Sequence, residues 1–324
     1  MPRVSVLMPT WNAMPFLPEA VKSILAQTYR DFEFIIVDDC STDGTSSYLS
    51  TVVDPRVVVM RNDQNLGCTK SLNVGLARCC GEVICRMDAD DVAFPDRIEK
   101  QIATFDDECD LVCCGGWMRN IGDSNEDTQV PLDDADIRDF MLFSPPVMHP
   151  TACFRRVLPS GDAVFYDESY PVAQDAELWF RLSAAGKMKN IPEYVVERRK
   201  HGKSVSSKRQ GEQREAASKI ARMVLERDFG IAATERELAY VQEPARNHSI
   251  EEARFLDKIL LLRKSSKLLQ DRYGSEIFNF WKEKLRSDFG LFAKLALRHP
   301  MLFARRAALP WISWKCGGRK NGRA

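Results

Sequence analysis

Three aspartates within four residues are the side chains best placed to do chemistry in this 324-residue chain. Asp88, Asp90 and Asp91 follow the run Glu82-Val83-Ile84-Cys85, which is typical of a buried strand. On an extended chain, side chains alternate in direction, so Asp88 and Asp90 point the same way. Two carboxylates aimed at one point suit Mg²⁺ or Mn²⁺, which keep positions open for water or phosphate oxygens. The first hypothesis is metal-assisted chemistry on a phosphorylated substrate, although the D-x-D spacing taken alone favours the alternative of a solvated acidic loop.

Strands and helices alternate over the first 115 residues. The hydrophobic pattern predicts strands at 4–8, 32–37, 57–60, 83–87 and 111–115, and helices at 17–27, 45–49, 70–78 and 96–105. Such alternation predicts a parallel sheet with helices on both faces, and ligands bind beyond the carboxyl ends of its strands. Polar clusters stand at three of those ends: Pro9-Thr10-Trp11-Asn12, Asp38-Asp39 and Asp88-Ala89-Asp90. We therefore expect a binding site at this edge of the sheet.

The remaining two thirds of the chain change in character near residue 210. Residues 119–139 are polar and acidic, which predicts a surface loop, and residues 140–210 mix short apolar runs with Pro and Gly. After 210 the spacing is helical, with a helix at 212–227 and a capping box at 249–252 that opens a helix through 269. We predict a catalytic domain at 1–210, divided into a nucleotide-binding half (1–115) and an acceptor half (116–210). A mainly helical module follows at 211–324.

The composition is that of a soluble globular protein, with 44% apolar and 28% charged residues. Ten cysteines are scattered without a C-x-x-C pair, so neither a zinc site nor a disulfide framework is expected. Cys85, Cys113 and Cys153 lie in apolar runs and are predicted to be small core residues. No signal peptide and no apolar run long enough for a transmembrane helix are found, which predicts a cytoplasmic location.

Charge separates the end of the chain from the rest. Residues 289–324 carry eight Lys or Arg and no acid, whereas the other residues carry 38 basic and 46 acidic side chains. Tryptophans 311 and 314 stand among further apolar residues in this tail, and apolar surface with Trp beside basic residues is typical of an interfacial membrane helix. Two interpretations remain open. The tail either contacts the anionic inner face of the plasma membrane peripherally or packs as a helix on the catalytic domain.

Ten stretches, in order along residues 2–210, resemble the family 2 glycosyltransferases. They read MPTWN (8–12), SILAQTY (23–29), IVDDCSTDGT (36–45), NLG (65–67), SLNVGL (71–76), GEVI (81–84), DADD (88–91), HPT (149–151), QDAELW (174–179) and RKH (199–201), the last followed by two serines. The resemblance implies a GT-A fold, a nucleotide-sugar donor, a divalent Mn²⁺ or Mg²⁺ cofactor and inversion at the anomeric carbon. It implies no nucleic-acid partner.

The same resemblance implies roles for the acidic cluster and its partners. Asp90 is expected to ligate the metal, and Asp88 to approach the ribose or a metal-bound water. His201, in an Arg-x-His-x-x-Ser-x-Ser pattern, is expected at the metal or the diphosphate. Asp91 is assigned instead as a cap of the helix that follows.

Residues near the N-terminus are expected to hold the donor. Asp39 matches the acid that accepts a hydrogen bond from the base, and an acceptor-only carboxylate suits the N3–H of uracil, hence a UDP-sugar. The resemblance also places Pro9, Thr10, Asn12 and Asn65 in the donor site. Asp38 is either a donor contact or a turn residue. Lys70 stands in for an arginine that many relatives carry after an alanine, or is a solvated helix lysine.

The acceptor hydroxyl needs a general base, and Asp175 matches the base of the family. Gln174 replaces the usual preceding Glu, and a neutral neighbour should leave the pKa of Asp175 less raised. Gln174, His149 and Trp179 are assigned to the acceptor and sugar side. For Trp179 packing is the alternative, and for His149 the orientation of a loop.

These residues together predict an inverting, metal-dependent glycosyltransferase that uses a UDP-sugar and a glycan or lipid-linked saccharide acceptor. A catalytically silent nucleotide-sugar-binding protein is the first alternative. A nucleotidyltransferase ranks lower because the chain has no Gly-rich phosphate loop near its N-terminus. A Rossmann dehydrogenase is excluded because no G-x-G-x-x-G follows the first strand.

Overall fold

The computed structural model describes residues 1–122, 127–200, 210–242 and 250–263, with 266, 268 and 269. His201 and the tail 289–324 lie outside the described residues. The chain divides into two compact units, residues 1–224 and residues 225–324. In order, the elements up to residue 107 are β1 (Val4–Thr10), α1 (Leu17–Leu25), β2 (Phe32–Asp38), α2 (Thr45–Leu49), β3 (Val57–Arg61), α3 (Cys68–Arg78), β4 (Val83–Arg86), β5 (Val92–Ala93) and α4 (Arg97–Asp107).

The later elements complete the sheet and add further helices. They are β6 (Leu111–Gly122), α5 (Asp134–Phe140), a 3₁₀ turn (His149–Thr151), β7 (Cys153–Arg155), α6 (Gln174–Ala185), β8 (Lys187–Lys200), α7 (Gln210–Phe229), α8 (Glu235–Gln242) and α9 (Ile250–Leu262). Within residues 225–263, apolar side chains such as Leu238, Val241 and Ile259 are buried. No helix among the described residues is long and apolar enough to cross a membrane.

The described strands form one eight-stranded sheet in the order β3-β2-β1-β4-β7-β6-β8-β5. Pairing is parallel between β3, β2, β1 and β4 and between β6 and β8, whereas β7 and β5 run antiparallel to their neighbours. The predicted parallel arrangement of the first strands is therefore confirmed, as is the mixed α/β class.

Side-chain alternation along the strands fills two cores. Val4, Val6 and Met8 of β1 belong to one apolar cluster with residues of α1 and α4. Leu7, which points the other way, lies against Gly75 of α3, where a Cβ would collide with its side chain. Helices therefore cover both faces, as the near-continuous burial of β1 and β2 requires. This packing fixes the carboxyl ends of the central strands at one edge.

The predicted surface loop over 119–139 is wrong at both of its ends. Strand β6 continues to Gly122 because β8 pairs with it through Lys200, and α5 occupies Asp134–Phe140. Polar residues on β6 misled the prediction, since the strand is held by backbone pairing as well as by burial.

Two cysteines predicted as separate core residues are joined. Cys85 of β4 and Cys153 of β7 stand opposite each other, with Cα atoms 4.1 Å apart, and form a disulfide. Both are buried, as is Cys113, so their expected place in the core is correct. The antiparallel insertion of β7 beside β4, which the sequence pattern did not predict, brings the two thiols together.

Candidate active site

Asp39 organises the first loop at the carboxyl edge of the sheet. Its side chain is 3% exposed, and its carboxylate accepts three hydrogen bonds of 2.8 Å each, from Asn62 Nδ2, the Leu66 backbone N–H and the Gly67 backbone N–H. Asn65, on the same loop, is exposed and donates weakly from Nδ2 to the Asp39 carbonyl at 3.4 Å. The carboxylate predicted to face a nucleobase thus also fixes the 62–67 loop.

Asp38 has the contacts of a turn residue. It accepts a hydrogen bond from the Ser41 backbone N–H at 2.9 Å and from the Ser46 hydroxyl, and it pairs with Arg61 at 2.6 Å. Burial alone would raise the pKa of this carboxyl, but the hydrogen bonds from Ser41 and Ser46 outweigh it and lower the pKa. Of the two interpretations left open by the sequence, these contacts favour the turn.

The loop after β1 lies beside the Asp38–Asp39 turn. Asn12 adopts a left-handed backbone with φ 49° and accepts a hydrogen bond from the Thr42 N–H at 2.8 Å. The Asp39 N–H donates to the Thr10 carbonyl at 2.8 Å. Thr10 Oγ1 is buried and has no hydrogen-bond partner among the described residues, and Pro9 pairs with Val37 in the sheet. Pro9, Thr10 and Asn12 are therefore assembled next to Asp39.

Two side chains near this loop reach solvent. Trp11 is 55% exposed, which leaves its indole free to meet a ligand at the edge of the sheet. Lys70 lies on the exposed side of α3 and has no ion-pair partner in the described part of the chain. The structure therefore leaves both interpretations of Lys70 open.

Asp88, Asp90 and Asp91 form one acidic cluster at the end of β4. One carboxylate oxygen from each lies within 4.8 Å of the others. Asp91 is buried and accepts a hydrogen bond from the Arg199 N–H at 2.9 Å. Burial, and then the charges of Asp88 and Asp90, raise the pKa of Asp91 well above its ordinary value. Hard oxygen donors that repel one another at this range fit a divalent cation.

The expectation that Asp91 caps the next helix is wrong. Strand β5 intervenes, and α4 begins at Arg97 with Asp96 in the cap position. Asp91 instead ties β8 to the end of β4 through Arg199, whose Nε also donates to the Asp90 carbonyl at 3.3 Å.

Asp175 is the second residue of α6 and is partly buried. Burial raises the pKa of its carboxyl, whereas the Ala176 N–H and the charge of Arg86 lower the pKa and Asp88 raises it. Asp175 therefore lies in the electrostatic range of both Arg86 and the acidic cluster. Gln174, beside it, places Nε2 4.0 Å from Cys68 Sγ.

Arg86 is a site residue that the sequence interpretation missed. It is 3% exposed, at the last position of β4, and forms an ion pair with Asp88. Its burial lowers the pKa of the guanidinium, but the Asp88 carboxylate more than offsets this, so the arginine stays charged. The detectable signal was a cation inside a buried strand, two residues before Asp88.

His149 contacts both Tyr166 and Trp179. His149 Nε2 is 2.8 Å from the Tyr166 hydroxyl, and its ring packs edge-on against Trp179. Burial, and then Arg86, lower the pKa of His149, which keeps the imidazole neutral. Trp179 is 0% exposed and donates from Nε1 to the Val147 carbonyl at 3.0 Å, so its contacts are those of packing. No sequence motif marked Tyr166.

Comparisons with known proteins decide the family. The profile "Glycosyl transferase family 2" matches residues 5–157. A glycosyltransferase of Haemophilus influenzae is 34% identical over 234 residues, which span 68% of this chain and 72% of the relative. The chain belongs to glycosyltransferase family 2. The amylovoran biosynthesis glycosyltransferase AmsE of Erwinia amylovora, another relative of this family 2 enzyme, is 30% identical over 207 residues, 60% of this chain and 74% of AmsE.

Similarity to solved structures identifies the fold of this family 2 glycosyltransferase. S. aureus TarS 1–349 in complex with UDP-GlcNAc superposes with a TM-score of 0.59 at 18% identity, covering 86% of this chain and 80% of TarS. Mannosyltransferase PcManGT from Pyrobaculum calidifontis, in complex with GDP-Man and Mn²⁺, gives 0.54 at 16% identity, covering 96% and 87%. The predicted family and the predicted GT-A fold are confirmed.

Proposed function

We propose that this glycosyltransferase transfers a hexosyl or N-acetylhexosaminyl group from a UDP-sugar to a hydroxyl of a glycan or lipid-linked saccharide, with inversion. The observation that carries the proposal is the position of Asp175. Its partly buried carboxyl has a raised pKa and lies within electrostatic reach of the acidic cluster. Inversion requires the attacking hydroxyl and the departing diphosphate on opposite sides of the anomeric carbon. In this proposal Asp175 takes the acceptor side and the acidic cluster takes the diphosphate side.

Donor binding is assigned to the loops around Asp39. The carboxylate, in addition to its three loop contacts, has one lone pair left, on Oδ2, to accept a nucleobase N–H, which favours uracil. Thr10 and Asn12, with Pro9 and Asn65, shape the base and ribose pocket, and Lys70 faces the diphosphate. The TarS complex with UDP-GlcNAc supports UDP, and the PcManGT complex with GDP-Man makes GDP the alternative nucleotide.

A divalent cation, Mn²⁺ or Mg²⁺, is assigned to Asp90, with His201 as a further ligand. The mutual repulsion of the three clustered carboxylates fits a cation there, and the Mn²⁺ of PcManGT supports manganese. When bound, the ion neutralises charge on the leaving diphosphate. Asp88 then contacts the ribose or a metal-bound water, and Asp175 takes the proton from the acceptor hydroxyl. Gln174 adjoins the base on the acceptor side.

The biological setting follows from the relative that acts in amylovoran biosynthesis. We place this enzyme in the synthesis of a cell-envelope polysaccharide in the cytoplasm. The basic, apolar tail at 289–324 brings the protein to the anionic inner leaflet, where a lipid-linked acceptor resides.

The experiment is nucleotide release from a panel of UDP-sugars and GDP-mannose, with Mn²⁺ and with a chelator. Metal-dependent release from one UDP-sugar is the expected result. Asp175→Asn should lower kcat by about 10²–10⁴-fold and leave donor affinity unchanged. Asp167→Asn, a carboxylate held by Ser169 outside the site, is the matched control. Donor binding without turnover in the unaltered protein, even with glycan acceptors added, would make it a silent binding protein.

A further inference from the structure

Arg86 lies at the end of a buried strand, where removing a cation from water costs free energy. It ends β4, whose other three residues, Val83, Ile84 and Cys85, are buried and apolar. Two residues before Asp88, it shares the strand face of that acid. Its guanidinium interacts with the charges or dipoles of Asp175, Tyr166 and Cys68 as well as with Asp88. Arg86 therefore pairs with the acidic cluster and lies within electrostatic range of Asp175.

Part of the hydrogen-bonding capacity of this guanidinium is unused. Nη2 contacts Asp88, but Nε and Nη1 are buried without a hydrogen-bond partner among the described residues. Arg97, also fully buried, is the natural comparison. Its Nε donates to Gln101 at 3.0 Å, Nη1 contacts Met87 Sδ at 3.2 Å and Nη2 donates to the Arg86 carbonyl at 2.7 Å. Because buried donors are ordinarily paired, the two open nitrogens of Arg86 point to a ligand.

We propose that Arg86 binds the sugar that is transferred, through hydrogen bonds from Nε and Nη1 to its oxygens. This assignment rests on the proposed function. In an inverting reaction the transferred sugar lies between the diphosphate and the base, and Arg86 adjoins the residues assigned to both. The Asp88 carboxylate already neutralises the guanidinium, so the bound oxygens belong to neutral groups, a hydroxyl or an acetamido carbonyl, rather than to a uronic acid.

Binding requires an exchange of partners. Arg86 is 3% exposed, whereas the Asp88 side chain that covers part of it is 34% exposed. When Asp88 turns toward the ribose or a metal-bound water, it uncovers the guanidinium, and sugar oxygens can then reach Nε and Nη1. Arg86 is then a specificity-determining residue that senses the sugar and not the nucleotide.

The test compares Arg86→Lys with the unaltered protein in titrations with UDP and with UDP-glucose, UDP-galactose and UDP-GlcNAc, all with Mn²⁺. Lysine keeps the ion pair with Asp88 but loses the fork of donors. The affinity for UDP should stay within about twofold, while affinity for the preferred UDP-sugar falls by about 10–100-fold, as for a lost charged hydrogen bond. Arg155→Lys, at the other end of the sheet and bonded to Leu111 and Glu82, should change neither.

Deoxy derivatives of the preferred donor probe the unaltered protein directly. One of them should bind about 10–100-fold more weakly than its parent, and Arg86→Lys should not distinguish the two. Equal weakening of UDP and UDP-sugar in Arg86→Lys, or no change in either, would overturn the assignment. Failure of the unaltered protein to bind any nucleotide would instead refute the proposed function, and the assignment with it.

Discussion

Replacing Asp39 with Asn tests the double role that the structure gives this carboxylate. Three donors converge on it at 2.8 Å, and each hydrogen bond to a charged acceptor contributes about 1.5–3 kcal/mol. In its best orientation the amide keeps the contacts with Asn62 and Leu66 and turns its NH₂ toward the Gly67 N–H. One charge-assisted bond is then lost, so Asp39→Asn should destabilise the fold by about 1.5–3 kcal/mol. Asp39→Ala, which loses all three bonds, should cost about 4.5 kcal/mol or more.

Urea denaturation measures the global effect, as a lower midpoint with an unchanged slope. Amide hydrogen exchange at Leu66 and Gly67 measures the local effect, which should be faster exchange in Asp39→Asn. Asp63→Asn, an exposed acid on the same loop, is the control and should leave both measurements unchanged. Unaltered exchange at Leu66 and Gly67 in Asp39→Asn would refute the loop-anchoring argument.

Nucleotide binding by the same variant separates the role of Asp39 in base recognition from its role in stability. Uracil presents an N3–H donor and cytosine an unprotonated N3, so the unaltered protein should prefer UDP to CDP. In Asp39→Asn the amide can donate to cytosine, and the preference should shrink by about tenfold or more, the worth of one charged hydrogen bond. A preference that survives the substitution would remove Asp39 from base recognition, whatever happens to stability.

Three further outcomes are expected. Gly81→Ala should destabilise the protein by about 1–3 kcal/mol in urea denaturation, because the added Cβ would lie 2.6 Å from the Ser5 backbone N. Gly211→Ala, whose added Cβ would have no atom within 4 Å, is the control and should not destabilise the protein. Acidification should reduce kcat through protonation of Asp175 at a pH above the ordinary aspartate range, since its pKa is raised, and a rate independent of acid until unfolding would contradict this. Deletion of 289–324 should abolish co-sedimentation with anionic liposomes, and equal pelleting would count against membrane contact.

The parallel strands could be predicted from the sequence because strands that are buried on both faces consist almost entirely of apolar residues. Each of the five predicted strands exists, and β1 and β2 are extended by one or two residues at the carboxyl end, where polar site residues begin. Strands β5 and β7 could not be predicted in this way. With two and three residues they are too short to show a period, and they form only because long neighbours pair with them.

The acids of the site could be found by spacing, but their partners could not. Asp88, Asp90 and Asp175 stand in recognisable motifs, and the structure places them around one region. Asp39 was assigned to a ligand, yet its carboxylate also accepts hydrogen bonds from the Asn62 side-chain amide and from the backbone N–H groups of Leu66 and Gly67, 27 and 28 residues away. Hydrogen bonds to the backbone leave no trace in residue identity, because any residue at those positions offers the same N–H.

For Arg86 and Arg97, too, the sequence does not reveal which groups surround the charge. On the sequence they are equivalent, since each is a single arginine within a predicted element. In the fold, burial and the neighbouring charge of Arg86 lower the pKa of Arg97 to about 9, while three acceptors satisfy its nitrogens. Arg86 is held charged by Asp88 with two nitrogens open. Arg97, with a partner for each guanidinium nitrogen, stabilises the strand end beneath the acids, whereas the two open nitrogens of Arg86 are those we assign to a ligand. The hydrogen-bond partners that distinguish these two arginines are visible in the fold and not in the sequence.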